Sequence, residues 1–308
     1  MLRNVTRPKA VAFDLDGTLV TLSNIITPRT LKAIKQFAAT GGTVVIATGR
    51  PAFRTTDVAD KFLDGICEYC VCEDGAYVVK KINNAWIPIN SRSVLPEYIF
   101  PYLKKVKQVF PDAEIGVKTR STDINSLCVS SMNYIDVMET RTDQGDFARR
   151  AARMPIPNNF DEFLTSIRPI DEIQFARIIH PSASAKELLN VLEPMHLELE
   201  GHQEKESNYN LVVQESTVLG VLISSPEQDK SFGLSHICSE LNLTSDDFCV
   251  FGDGGNDLGM FAWAKQGVCP SNGQIGLKNT ASYVSEKSHH EDFIAEVLES
   301  WDITTSKL

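Results

Sequence analysis

Residues 9–18 read Lys9-Ala10-Val11-Ala12-Phe13-Asp14-Leu15-Asp16-Gly17-Thr18, a short apolar run that ends in two acids, a glycine and a hydroxyl. An unbroken apolar run of this length is the pattern of a strand buried on both faces, as in a parallel sheet covered by helices. The residues that follow extend the same rhythm. Thr27-Pro28 opens a helix, with Thr27 as N-cap and Pro28 at the first helical position. Leu31, Ile34, Phe37 and Ala38 recur at helical spacing, and Gly41-Gly42 ends the helix. Thr43–Ala47 is a second, β-branched strand, followed by a helical segment over Thr55–Phe62 and a strand over Tyr69–Cys72. Strand and helix in alternation predict a Rossmann-like, doubly wound α/β sheet with right-handed crossovers.

After Gly75 the rhythm changes. Residues 82–224 mix helices with alternating strands at Glu114–Val117, Leu127–Met132, Ile173–Ile179, Met195–Glu200 and Leu211–Val213, and a Pro-rich loop spans Met154–Asn159. From Lys230 the α/β pattern resumes, with a helix over Phe232–Leu241, a strand over Phe248–Phe251, a helix from Asp257 and a last helix over Glu291–Trp301. The chain therefore reads as a discontinuous α/β core, residues 1–81 and 225–308, interrupted by an α+β insert over 82–224. Tyr98, Phe100, Tyr102 and Phe110 in the insert's first helix fit either a core stripe or a pocket lining.

Length and charge narrow the possibilities. A chain of 308 residues has room for two domains. Thirty Lys and Arg against forty Asp and Glu give a net charge of −10, which argues against gripping nucleic acid or an anionic membrane. No apolar run approaches the roughly 18 residues of a membrane span, and the start of the chain lacks the apolar stretch of a signal peptide. Seven cysteines, an odd number, read as reduced thiols. Cys67, Cys70 and Cys72 have no adjacent His, and their alternation with other residues reads as strand rather than as a zinc site.

Four short segments fall where an open α/β sheet places its ligand groups, at the carboxyl ends of strands and the starts of helices. They are Asp14-Leu15-Asp16-Gly17-Thr18, Thr48-Gly49-Arg50, Lys230, and Gly252-Asp253-Gly254-Gly255-Asn256-Asp257. The last is not a dinucleotide loop, because Asp257 stands where a third glycine would be needed. Carboxylates gathered in a cleft repel unless a cation or proton sits among them. With Asp14, Asp253 and Asp257 converging and no His or Cys nearby, the hard oxygen ligands favour Mg²⁺. Asp14 and Asp16, two apart beyond a strand's end, can divide the work of nucleophile and proton donor. Thr48, Lys230, Asn256 and the amides near Gly17 and Gly49 are donors suited to the oxygens of a phosphoryl group.

These segments, in this order, resemble the four motifs of the haloacid dehalogenase-like phosphatase superfamily, and the position of the insert resembles its Cof-type branch of sugar-phosphate phosphatases. The resemblance implies a Mg²⁺-dependent phosphatase acting on small phosphorylated metabolites through an aspartyl-phosphate, with the insert as a cap that reads the substrate. It further implies that Asp14 is the nucleophile and Asp16 the general acid and base. Asp14, Asp16 (through its backbone carbonyl), Asp253 and Asp257 would serve the metal; Thr48, Gly49, Lys230 and Asn256 would hold the phosphoryl group; Arg50 would be a substrate contact. The alternatives are a phosphomutase or phosphotransferase of the same superfamily, or a non-catalytic phosphometabolite-binding protein, which would be expected to have lost Asp14 or Asp16. The chain departs from the Cof pattern at Glu73-Asp74-Gly75-Ala76, where an Asn-Gly-Ala turn is usual, at Ser231, at Cys269-Pro270-Ser271-Asn272-Gly273 and at Phe293-Ile294. Finally, Ser306-Lys307-Leu308 matches the tripeptide read by a peroxisomal import receptor, which predicts a peroxisomal or glycosomal location, and a cytoplasmic one if the tail is not read.

Overall fold

A computed structural model describes residues 6–119, 127–131, 134, 157–167, 173–202, 211–215, 220–225 and 229–305. The chain divides into two units, Met1–Asn90 with Glu227–Leu308, and Ser91–Pro226. Among the described residues, no helix is long and apolar enough to cross a membrane.

The first unit is built on an eight-stranded sheet. Its strands are β1 (Ala10–Phe13), β2 (Thr43–Ala47), β3 (Cys67–Cys72), β4 (Tyr77–Ile82), β5 (Ala85–Ser91), β11 (Phe248–Phe251), β12 (Gln266–Cys269) and β13 (Tyr283–Val284). Their spatial order is β13-β12-β11-β1-β2-β3-β4-β5. The pairs from β13 through β3 are parallel, and β3 turns back into β4 antiparallel. β1 lies at the middle, between β2 and β11, with Phe13 level with Ile46 and Phe251.

The two faces of β1 explain its sequence. Val11 and Phe13 join a core with α1 (Pro28–Ala39), α2 (Ala52–Phe62) and α9 (Phe293–Thr305). Ala10 and Ala12 join the opposite core, with α6 (Lys230–Glu240), α7 (Leu258–Trp263) and α8 (Ile275–Thr280). All four side chains are fully buried, so a polar residue at any of them would lose water without gaining a partner. This is the doubly wound sheet the alternation predicts, and reversal of the strand order on either side of β1 opens the crevice at its carboxyl end.

The second unit is an antiparallel five-stranded sheet in the order β7-β6-β8-β10-β9, formed by β6 (Glu114–Thr119), β7 (Leu127–Val129), β8 (Ile173–Ile179), β9 (Val212–Glu215) and β10 (Val221–Ser224). It packs with α3 (Pro96–Val109), α4 (Phe160–Ser166) and α5 (Ala185–His202) around its own core. Tyr102 is buried there, and Tyr98, Phe100 and Phe110 pack against it, so the aromatic stripe is core.

One strand expectation fails. Met195–Glu200 lies within the helix α5. Over six residues the alternation Met-His-Leu-Glu-Leu-Glu has the period of a strand, but the longer frame is helical. Buried Leu188 and Leu192 are four apart, and Ser184 and Glu187 form a reciprocal cap at the start, with Glu187 Oε2 accepting from Ser184 N at 2.7 Å. Once nucleated, a run rich in Leu, Glu and Met continues as helix. Met132, the loop residues 154–156 and Ser306-Lys307-Leu308 lie outside the described residues. All seven cysteines are buried free thiols, with Cys67, Cys70 and Cys72 on β3.

Candidate active site

The sheet delivers three loops and one helix start to the crevice beyond β1. The amide of Asp14 donates to Phe251 O at 2.9 Å, continuing the β1–β11 pairing by one residue and fixing where the first carboxylate emerges. The chain then curls tightly: Leu19 N donates to Asp14 O, and Val20 N to Leu15 O. Gly17 makes the curl possible. Its φ is +78°, and a Cβ there would lie 2.3 Å from Asp253 Oδ2, so the position rejects any side chain on two counts. Thr18 Oγ1 donates to Asp253 Oδ1 at 3.2 Å, and Asn272 Nδ2 donates to Gly17 O at 3.0 Å, joining the first loop to the last.

Lys230 is the first residue of α6, behind the N-cap Asp229, whose Oδ1 accepts from Ser231 N at 2.7 Å. Its ammonium is fully buried and donates to Asp14 Oδ1 at 2.7 Å and to Asp257 Oδ1 at 2.6 Å. Asp257 is equally committed on its other oxygen, where Oδ2 accepts from the amides of Asp253 and Gly254, each at 2.9 Å. It is thus the organiser of the last loop. Donor atoms of Asp14, Asp253 and Asp257 all lie within 4.8 Å of one another and could hold a metal ion.

The electrostatics show what that cluster lacks. Burial pushes the Asp14 carboxyl well above the usual carboxylate range, and Asp257 and Asp253 push it the same way against the pull of Lys230. Asp253 is raised to about 6, first by burial and then by Asp257. Lys230 is moved upward overall, since burial alone would lower it but Asp14, Asp257 and Asp74 outweigh that cost. One ammonium does not balance the acids around it. The donors in this cluster are carboxylate oxygens alone, a set that suits a hard divalent cation better than zinc or a softer metal.

The remaining residues flank this cluster. Thr48 is buried at the end of β2, with its amide donating to Val71 O at 2.9 Å and its hydroxyl accepting from Arg50 N at 3.2 Å. Gly49 next to it is exposed. Arg50 grips Asp16 with two parallel bonds, Nε to Oδ2 at 2.7 Å and Nη2 to Oδ1 at 2.5 Å, and also donates to Asn24 Oδ1 at 2.8 Å. The Asp16 carboxylate is 65% exposed and is not one of the three clustered acids, although its charge acts on Asp253. Asn256 is exposed and donates through Nδ2 to Asp74 Oδ1 at 2.8 Å.

The four segments at Asp14–Thr18, Thr48–Arg50, Lys230 and Gly252–Asp257 therefore meet at one place. Four contributors carried no site role in the sequence reading: Thr18, Asn24, Asp74 and Asn272. Asp74 and Asn272 lie in segments already marked as departures from the Cof pattern, which was the available signal. For Asn24 there was none, because it sits in an aperiodic loop and its bond to Arg50 spans 26 residues.

Comparison with known proteins agrees with this geometry. The chain is similar along nearly its whole length to the 5-amino-6-(5-phospho-D-ribitylamino)uracil phosphatase YitU of Bacillus subtilis, with 23% identity covering 96% of this chain and 98% of that one. Among solved structures it resembles a haloacid dehalogenase-like hydrolase from Bacteroides thetaiotaomicron, with TM-score 0.72, 21% identity and coverage of 96% and 99%. It also resembles the HAD subclass IIB sugar phosphatase BT4131, with TM-score 0.68, 20% identity and the same coverage. The family pattern of the haloacid dehalogenase-like hydrolases matches residues 11–298, and the chain belongs to that family.

Proposed function

We propose that this hydrolase is a Mg²⁺-dependent phosphatase of small phosphate monoesters, sugar phosphates foremost, working through an aspartyl-phosphate on Asp14. The observation that carries the reading is the buried Lys230 bridging Asp14 and Asp257 beside Asp253. A lone buried acid at a strand's end would be inert. One held by an ammonium, next to a ready cation site and an exposed amide-lined loop, is equipped for nucleophilic attack on phosphorus. Relatives named as phosphatases, one of them a sugar phosphatase, support the substrate class.

Lys230 occupies Oδ1 of Asp14, which leaves Oδ2 to attack. As that oxygen bonds to phosphorus, the ester P–O bond breaks and Asp16 gives its proton to the departing oxygen. Asp16 then takes a proton from water, the water oxygen attacks phosphorus, and the P–O bond to Asp14 breaks to release inorganic phosphate. Thr48, the Gly49 amide, Lys230 and Asn256 hold the peripheral oxygens. The Asp14 and Asp253 carboxylates and the Asp16 carbonyl would hold the metal, with Asp257 bracing them. Bound Mg²⁺ would neutralise the crowded acids and the phosphoryl charge.

The test is phosphate release from a panel of phosphate esters by the purified full chain with Mg²⁺. Release is expected for at least one sugar phosphate, abolished by EDTA and by Asp14→Asn. An isomerised ester with no free phosphate would point to a mutase instead. No turnover of any ester by the wild type, or equal turnover by Asp14→Asn, overturns the reading.

A further inference from the structure

The acid in the turn after β3 has a place in the site that the mechanism above does not use. Glu73, Asp74 and Gly75 occupy three successive positive-φ conformations, at 54°, 51° and 96°. Such a run is costly for non-glycine residues, so contacts must hold it in place. Asp74 N donates to Thr48 O at 3.1 Å and Glu73 N to Arg50 O at 3.0 Å, clasping the turn to the Thr48-Gly49-Arg50 loop. On its other side, a Cβ on Gly75 would lie 1.9 Å from Asp229 O, so the turn packs directly against the residue before Lys230.

The Asp74 carboxylate is consequently fixed, not a waving surface acid. Both its oxygens lie 3.0 Å from where a Cβ on Gly49 would stand, it accepts from Asn256 Nδ2 at 2.8 Å, and its charge contributes to the field on Lys230. It thus touches or influences three of the groups assigned to the phosphoryl oxygens. Orienting the Asn256 amide needs only an acceptor, which a neutral amide side chain would supply equally well. The negative charge is what requires a role. The site already sets Asp14, Asp16, Asp253 and Asp257 against Lys230 and Arg50, and a fifth carboxylate beside the phosphoryl donors opposes any bound phosphate anion.

We infer that Asp74 is a positioning residue for Asn256 whose charge also limits how tightly the pocket holds phosphate. The inference rests on the phosphatase reading. Asp74→Asn keeps an acceptor for Asn256 and suits a positive φ, so it isolates the charge. Asp74→Gly removes the acceptor with no backbone strain.

The measurements are calorimetric titration of the Mg²⁺-loaded full chain with inorganic phosphate, and steady-state kinetics on the best ester from the panel. Asp74→Asn is expected to bind phosphate about three- to tenfold more tightly, the effect of removing one partly screened charge near an anion. Its product-inhibition constant and KM should fall in parallel while kcat stays within about threefold. Asp74→Gly should lose kcat about three- to tenfold as Asn256 is released, roughly the value of one hydrogen bond. Unchanged phosphate affinity in Asp74→Asn overturns the role of the charge, and equal kcat in the Asn and Gly variants overturns the positioning role. If the wild type hydrolyses no ester, the phosphatase reading fails by itself, and the calorimetric comparison still decides the effect of Asp74 on anion binding.

Discussion

Replacing Lys230 with Met tests the electrostatic account of the site most directly. Methionine matches the length and most of the volume of the lysine stem, so the change removes the ammonium with little loss of packing. In the wild type that ammonium donates at 2.7 Å to Asp14, 5% exposed, and at 2.6 Å to Asp257, fully buried. Without it, two carboxylates remain in the interior with no cation between them. Breaking a buried pair in this way costs about 3–5 kcal/mol, and two charge-assisted bonds at about 1.5–3 kcal/mol each give a similar figure. Against a total stability of about 5–15 kcal/mol, the loss is large. The cost must also depend on pH. The Asp14 carboxyl already sits well above its ordinary value of 3.8, and losing Lys230 removes the charge that pulls it down. Between the unfolded and folded values the folded state holds a proton that the unfolded state does not, so stability rises as pH falls through that window. Urea unfolding in EDTA, followed by Trp86, Trp263 and Trp301, should therefore show a deficit of about 3–5 kcal/mol at pH 7.5 that narrows at pH 5. All three tryptophans lie in the unit that carries the site. A deficit below about 1 kcal/mol at pH 7.5, or one equal at both pH values, would refute the reasoning.

Three further outcomes follow from the same contacts. In metal-free wild type, Asp253 at about 6 against 3.8 unfolded costs stability that is absent below pH 4, grows as pH rises to about 6 and persists above it. Discounted for its partial exposure, this is about 1–2 kcal/mol, so the rise in Tm on adding Mg²⁺ should be larger at pH 7.5 than at pH 5 by scanning calorimetry. Gly17→Ala forces a side chain into left-handed backbone and drives Asp253 aside, so a Mg²⁺ titration should show about tenfold weaker binding together with about 1–2 kcal/mol lost stability. Arg50→Gln removes the two-point grip that places Asp16; although the lost ion pair eases protonation of Asp16, loss of that placement should lower kcat about tenfold on alkyl phosphates, whose departing oxygen needs a proton, and much less on p-nitrophenyl phosphate.

Legibility differed by the range of the physics involved. The strand at Ala10–Phe13 and the acids after it could be read because burial on both faces and a tight Gly17 turn are local demands. Position in an α/β sheet then told where those acids must point. Lys230 was legible too, although 216 residues from Asp14, because a helix start after the insert returns the chain to the same crevice. What could not be read was which partner each side chain takes on arrival. Asp16 could have faced the three-acid cluster but is held by Arg50, and Asn256 meets Asp74 across 182 residues. Those choices depend on side-chain geometry that no periodicity encodes. The misread segment at Met195–Glu200 failed for the opposite reason: a short window satisfied the strand period, and only the longer frame with its cap revealed the helix.

For the proposed mechanism, the raised pKa of Asp14 poses a problem that the rest of the site can answer. A nucleophilic carboxylate must be ionised, yet burial, the largest influence on it, favours the protonated form. Moving Asp14 out to water would restore ionisation, but hydration would blunt the nucleophile and admit water to the phosphorus before the ester could react. The buried position is therefore workable only if fixed positive charge replaces the lost solvent. Lys230 supplies one unit but divides it between Asp14 and Asp257. Arg50 has its guanidinium on Asp16 and Asn24. Neither can be diverted to the nucleophile without stripping another acid of its partner. On the proposed reading the remaining charge would come from a bound cation, for which the position where Asp14, Asp253 and Asp257 converge is suited. If the proposed mechanism holds, dependence on a divalent cation would be a consequence of burying Asp14 as the nucleophile, not a separate feature added to the fold.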